Sequence, residues 1–157
     1  MTSAQDPTGI PAHQDQPITR VTGDRLEIPA LLYRYARAVD TKDWLLYRSV
    51  FTDDARIDYT SAGAIAGGRD EVADWLAAAF DAIPMSMHYI TNIEILAGGT
   101  DTATVRSMFY NPMQLAGMTG LTCCGGYYHH ELVRTGDGWK SRNLREENLW
   151  FTNPPPG

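Results

Sequence analysis

The sequence predicts an α+β fold: a curved, mostly antiparallel sheet wrapped by three N-terminal helices into a cone. Three observations point there. Apolar residues recur at helical spacing in three segments before Pro84. Four long strand-like segments follow, set apart by glycine-containing turns. At 157 residues the chain fits one domain with a real core. Helices packed on one face of a strongly curved sheet leave a conical cavity.

Residues 1–20, rich in Pro, Gln, Ser and Thr without an apolar period, read as a flexible arm. The domain proper spans 21–152, and 153–157 reads as a flexible tail. A first helix is expected from Asp24 to Val39, with Asp24 and Glu27 as a capping box and Ile28, Leu31, Leu32, Tyr35 and Val39 facing inward. Pro29 fits best where regular helix starts. Thr41 suits the N-cap of a second helix through Trp44, Tyr47 and Phe51, ended by Asp53 and Asp54. Ala55 to Tyr59 is the first strand, with Ile57 and Tyr59 on one face. A loop or short hairpin at Gly63 to Gly68 precedes a third helix from Asp70 to Ile83, which Pro84 stops. Strands are then expected from Met87 to Leu96, Thr102 to Tyr110, Leu121 to Arg134 and Trp139 to Phe151, the last two joined by a Gly136-Asp-Gly138 hairpin turn.

A net charge of −6 argues against nucleic acid and anionic membrane surfaces as partners. No apolar run of about 18 residues exists to cross a membrane. The start of the chain lacks a basic-then-apolar secretory pattern, and adjacent Cys123 and Cys124 make no disulfide framework, so a reducing cytoplasm is expected.

The chemistry rests on Asp40, Tyr59 and His88. A carboxylate beside an imidazole fixes which ring nitrogen carries the proton and favours the imidazolium once a proton arrives. A histidine so held can take a proton in one step and return it in the next. A tyrosine aimed at a carbonyl donates a hydrogen bond that strengthens as an enolate forms. Tyr35, a little over one helical turn before Asp40, reaches the same cavity. Each residue also has a plainer reading: Asp40 as a helix cap, His88 as a satisfied core histidine, Tyr59 and Tyr35 as packing aromatics. What favours chemistry is their conjunction on elements that face one cavity. Asn111, at a strand end before Pro112, either bonds substrate or shapes a turn. His130 shares a face with Tyr128 and Leu132 and either lines the cavity or packs elsewhere. His129 and His130 point to opposite faces, so no metal site is expected. No Gly-x-Ser-x-Gly or phosphate loop is present.

Tyr35-Ala-Arg-Ala-Val-Asp-Thr-Lys-Asp-Trp44, Phe51-Thr-Asp-Asp-Ala-Arg-Ile-Asp-Tyr59, Met87-His-Tyr-Ile-Thr-Asn92 and the closing Gly138-Trp139 resemble the SnoaL-like group of the nuclear transport factor 2 superfamily over roughly residues 24–151. Within it the chain is similar to scytalone dehydratase and the bile-acid 7α-dehydratases, cofactor-free enzymes that eliminate water next to a carbonyl. Asp40, Tyr59 and His88 match their aspartate, strand tyrosine and histidine. Tyr35 matches a further tyrosine of the bile-acid enzymes, and Asn111 stands where these carry an aspartate. The chain departs from scytalone dehydratase at Val39, where that enzyme has a tyrosine, and at Asn111-Pro112-Met113, near its second histidine. Its strand serine and asparagine fall near Gly126 and Tyr128.

The resemblance implies a cofactor-independent lyase of the dehydratase type for a small hydrophobic polycyclic or steroid-like carbonyl compound. His88 would be the acid–base, Asp40 its partner and Tyr59 with Tyr35 the polarisers; Asn111, Tyr128 and His130 would contact substrate. A related isomerase or cyclase would use the same parts. A non-catalytic ligand binder, or a module like a dioxygenase small subunit, is the rival reading. Relatives of this fold imply a homo-oligomer, dimer or trimer.

Overall fold

The computed structural model describes residues 18–155, with side chains from Gly23. The expected arm therefore lies outside the described residues up to 17. Helix α1 spans Ile18–Asp40, so the helix starts before Asp24 and carries Pro29 within it. Asp24 is no cap: its carboxylate accepts from Arg134 and, at 3.1 Å, from the Trp139 indole. The guanidinium of Arg134 stacks 4.3 Å from the Trp139 ring centroid and completes this tether. The inward stripe Ile28, Leu31, Leu32, Tyr35 and Val39 is buried as the spacing requires.

Helix α2 is Trp44–Val50, and its N-cap is Asp43, whose carboxylate accepts from the Leu46 N–H at 2.9 Å. Thr41 instead bonds back to the Arg37 carbonyl and closes α1. Strand β1 runs Phe51–Asp58, so Asp53 and Asp54 lie within a strand, where the register with its neighbour slips between Phe51 and Arg56. A 3₁₀ turn at Thr60–Ala62, strand β2 (Ala66–Gly68) and helix α3 (Arg69–Ala79) follow; α3 ends in a further 3₁₀ turn, Phe80–Ala82.

The strand expected from Met87 to Leu96 is β4 (Tyr89–Gly98), and a short strand β3 (Met85–Ser86) precedes it; both pair with β5 (Thr102–Gln114). Strands β6 (Thr122–Thr135) and β7 (Gly138–Thr152) complete the sheet through a tight turn in which Thr135 pairs with Gly138. Among the described residues seven strands run in the order β2-β1-β7-β6-β5-β3, with β4 also on β5. All pairs are antiparallel except β1 with β7. The helices cover one face, and their apolar stripes meet Val105, Phe109, Leu132 and Leu144 of the sheet in one core. No described helix is long and apolar enough to cross a membrane.

The β6–β7 register slips at Gly125–Gly126, opposite Trp150 and Asn148. A Cβ on Gly126 would collide with the Glu147 carbonyl, which cannot move without breaking the ladder. At Gly125 it would meet only the indole of Trp150, a side chain 43 % exposed. Gly126→Ala should therefore lower unfolding free energy by about 1–3 kcal/mol, and Gly125→Ala by clearly less. Urea denaturation of both variants checks the order; equal costs would contradict it.

Candidate active site

Asp40 is the last residue of α1, and its two carboxylate oxygens cross to the β3–β4 break. Oδ1 accepts from the Ser86 hydroxyl at 2.8 Å and from His88 Nδ1 at 2.6 Å; Oδ2 accepts from the His88 backbone N–H at 2.8 Å. Met87 gives its N–H to β5, so the next N–H, that of His88, points off the outer edge of the sheet, where the carboxylate takes it. Opposite stands Pro112, which has no N–H to offer, and its carbonyl accepts from Met87 at 3.1 Å. His88 accordingly lies between two strands rather than on one, its side chain 5 % exposed against 21 % for Asp40. Burial alone would raise the Asp40 carboxyl, but the hydrogen bonds and charge of His88, with Ser86, outweigh it and hold the group below its ordinary value.

With Nδ1–H donated to Asp40, His88 Nε2 is an acceptor, and the Asn111 amide donates to it at 3.0 Å. Asn111 lies inside β5 rather than at its end, and its Oδ1 is buried without a partner. Rotation of the amide would offer that oxygen to a protonated Nε2–H, so Asn111 can serve both protonation states of the ring.

A cavity of about 500 Å³ opens beside this chain of bonds. His88, Asn111, Tyr59, Tyr35 and Tyr128 line it, among apolar residues that include Phe80 and Phe109. Tyr59 follows β1 directly, and its hydroxyl bonds Tyr35 at 2.8 Å and Tyr47 at 3.0 Å. Burial first, then their mutual charges, raise the hydroxyl of Tyr59, and burial likewise raises those of Tyr35, Tyr47 and Tyr128. All four are therefore neutral donors. Asp40 holds His88 from behind and is not part of the lining. The tail, expected outside the fold, reaches the rim: Thr122 bonds the Asn153 carbonyl at 2.7 Å, and Pro154 and Pro155 line the cavity.

His130 does not line the cavity. It packs behind Tyr35 and Tyr128, ring centroids 6.2 and 6.4 Å away. The Ser141 hydroxyl donates to the Asn143 carbonyl, so His130 Nδ1–H donates to Ser141 at 3.0 Å. Burial, then the charge of His129, push His130 down to about 3, leaving it neutral. Among the described residues no three His, Cys, Asp or Glu gather as metal ligands.

Two residues, one behind the cavity wall and one on it, stand outside the expected set. Tyr47 closes the tyrosine chain from the core. Glu146 on β7 lines the cavity at 8 % exposure, and its carboxyl accepts a single long bond, 3.4 Å from Asn148. Burial pushes the carboxyl up to about 7, opposed by Asn148 and aided by the charge of Asp58. Folded, Glu146 therefore holds its proton more tightly than unfolded; this favours folding below pH about 4.5 and is lost as pH rises through about 7. Glu146→Gln should gain on the wild type by an amount that grows between pH 5 and 8, to the order of 2–3 kcal/mol. Melting curves across that range check it; a gap that does not change with pH would contradict it.

Residues 20–145 match the SnoaL-like domain. An uncharacterised protein of Mycobacterium tuberculosis, Rv2910c, is 38 % identical over 118 residues, covering 74 % of this chain and 80 % of that one. The crystal structure of Kfla4162 from Kribbella flavida is 28 % identical with a TM-score of 0.77, covering 85 % of this chain and 95 % of that one. A candidate scytalone dehydratase from Novosphingobium aromaticivorans has the same fold at 18 % identity and a TM-score of 0.80, covering 88 % and 93 % of the two chains. So has a hexachlorocyclohexane dehydrochlorinase, LinA type 2, at 21 % and 0.77, covering 88 % and 98 %. The chain belongs to the SnoaL-like domain family.

Proposed function

We propose that the protein is a cofactor-independent lyase of the dehydratase type, acting on a hydrophobic polycyclic or steroid-like carbonyl compound. The observation that carries this reading is the 2.6 Å bond from His88 Nδ1 to Asp40 beside a mostly apolar cavity. Two solved structures of the same fold are described by their eliminations, of water and of hydrogen chloride, which supports the class.

In this reading His88 Nε2 takes the proton from the carbon next to the substrate carbonyl, and the Asn111 amide turns to accept from the new Nε2–H. The imidazolium is stabilised by Asp40, whose charge is already in place. The carbonyl oxygen accepts from the tyrosines. Three hydroxyls joined by two bonds leave one proton over. Tyr47 is sealed in the core, so the order Tyr47 to Tyr59 to Tyr35 delivers the spare donor to the cavity. As the enolate collapses, the C–O bond at the next carbon breaks, and Nε2–H returns its proton to the departing oxygen as water. Return of that proton to a different carbon of a conjugated enolate instead would make the protein an isomerase with the same parts. A binding module would have no use for a buried carboxylate–imidazole pair, which is costly to desolvate. On the opposite face of the sheet the exposed rings of Tyr89, Tyr110 and Trp150 stand 5.9 and 6.0 Å apart in sequence, which supports a homodimer or trimer.

Exchange of the α-hydrogens of 2-tetralone into deuterium oxide, followed by proton NMR, tests proton abstraction without the natural substrate. The wild type should accelerate exchange, His88→Ala should lose about 10²–10⁴ of that rate, and Asp40→Asn should lose a large part of it. A wild type no faster than buffer, or a His88→Ala variant at full rate, would sink the assignment.

A further inference from the structure

Glu146 is unexplained by that mechanism. A carboxyl buried without a cation or a short hydrogen bond weakens a fold, so a role in the cavity is the natural question. Its neighbours Arg145 and Glu147 face the other side of the sheet, where they pair with each other at 3.8 Å, and among the described residues Glu146 makes no ion pair. Its backbone is fixed in place: Ser61 donates its hydroxyl to the Glu146 carbonyl at 2.9 Å and accepts the Asn148 N–H at 3.0 Å. The side chain is therefore held inward by the 3₁₀ turn after β1.

The sheet order separates Glu146 from His88. His88 leaves β3, and β5 and β6 lie between β3 and β7. Three strand spacings make roughly 14 Å between the two backbones. The polar side chains that line the cavity on the intervening strands are Asn111 on β5, which is committed to His88, and on β6 Tyr128, which stands opposite Glu146, Cys124, whose thiol faces the Asn111 carbonyl, and Thr122, whose hydroxyl is spent on the Asn153 carbonyl. The rest of the wall between is apolar, with Phe109 stacked on Tyr128 at 4.4 Å between centroids. The cavity thus has two polar ends joined by a greasy floor. One end offers a base and the other a carboxyl that can accept; the phenol donors Tyr35 and Tyr128, which face Glu146 as well, stand between them.

We propose that Glu146 is a second anchoring site, accepting a hydrogen bond from a hydroxyl group on the ring of the substrate farthest from the carbon that His88 deprotonates. The substrate class is then a fused-ring ketone that also carries a remote hydroxyl, rather than a bare hydrocarbon ketone. This rests on the reading that the cavity takes a polycyclic carbonyl compound with its carbonyl at the tyrosines. The carboxyl titrates near neutrality and is largely an acceptor above pH 7. The groups facing it from the packed elements are Tyr35 on α1, Asp58 on β1, and Cys124 and Tyr128 on β6. None of them is a cation that would satisfy it.

The test uses 6-hydroxy-2-acetonaphthone and its methyl ether, which differ by the donor at the remote end. Binding to the full chain is measured by isothermal titration at pH 7.5. The wild type should prefer the hydroxyl compound by ~10-fold or more, the value of a hydrogen bond to a charged group. Glu146→Leu should bring the ratio to near one, and Glu146→Gln should leave it between. His88→Ala should keep the preference, which separates this site from the proton-transfer reading. If the α-hydrogen exchange fails while the preference stands, the anchor survives and the mechanism does not. Equal binding of the two compounds by the wild type, binding of neither, or an unchanged ratio in Glu146→Leu overturns the proposal.

Discussion

One carboxylate organises the site. Asp40 ends α1 and reaches across to Ser86 and to both the backbone and the ring of His88. The backbone bond occupies an N–H at the sheet edge that the ladder does not use, and the ring bond fixes the tautomer. Without that carboxylate, the His88 N–H would be left unpaired at the sheet edge and its ring would keep only the Asn111 bond. The placement of the His88 backbone and of its ring is therefore set by one carboxylate. It depends in turn on Asp43 rather than Asp40 capping α2, which leaves Asp40 free to turn toward the sheet.

The rest of the cavity holds its groups neutral. Four buried tyrosines are kept as phenols, and His130 is held as the uncharged ring behind them. A charge developing on a bound carbonyl would therefore meet donors already aimed inward and little competing charge. Glu146 is the exception, close to half ionised near neutral pH, at the far side of the same hollow. The chain thus separates a paired carboxylate, used to steer a histidine, from an unpaired one available to a ligand.

How much of this was legible depended on how local the cause was. The stripe of α1 is visible because 3.6-residue spacing is a local property, and Tyr59 is visible because it alternates with Ile57. That Asp40 and His88 sit beside one hollow followed from element order and from the resemblance. The tie of the His88 backbone to Asp40 was not legible, because the partners lie 48 positions apart. The early start of α1 was hidden by Pro29 and by a capping pattern at Asp24 that is spent on Arg134 and Trp139 instead. Glu146 was hidden by parity. Trp139 and Ser141 face inward, then the register with β6 slips by one at Glu131–Leu132, and Leu144 and Glu146 take over the inward face. Simple alternation from Trp139 would have sent Glu146 to the outside. Reading inward from Leu144 is the signal that would have found it. Tyr47 stands in the sequence only as a position on the second helix, and nothing in its neighbours on α2 marks its hydroxyl.

The central claim is that Asp40 holds the His88 proton on Nδ1 and leaves Nε2 as the base. Long-range proton–nitrogen NMR of the histidine rings reads this directly. The wild type should show His88 with Nδ1 protonated and Nε2 bare, and Asp40→Asn should shift that tautomer balance. An Nε2–H tautomer in the wild type, or one indifferent to Asp40→Asn, would contradict the account.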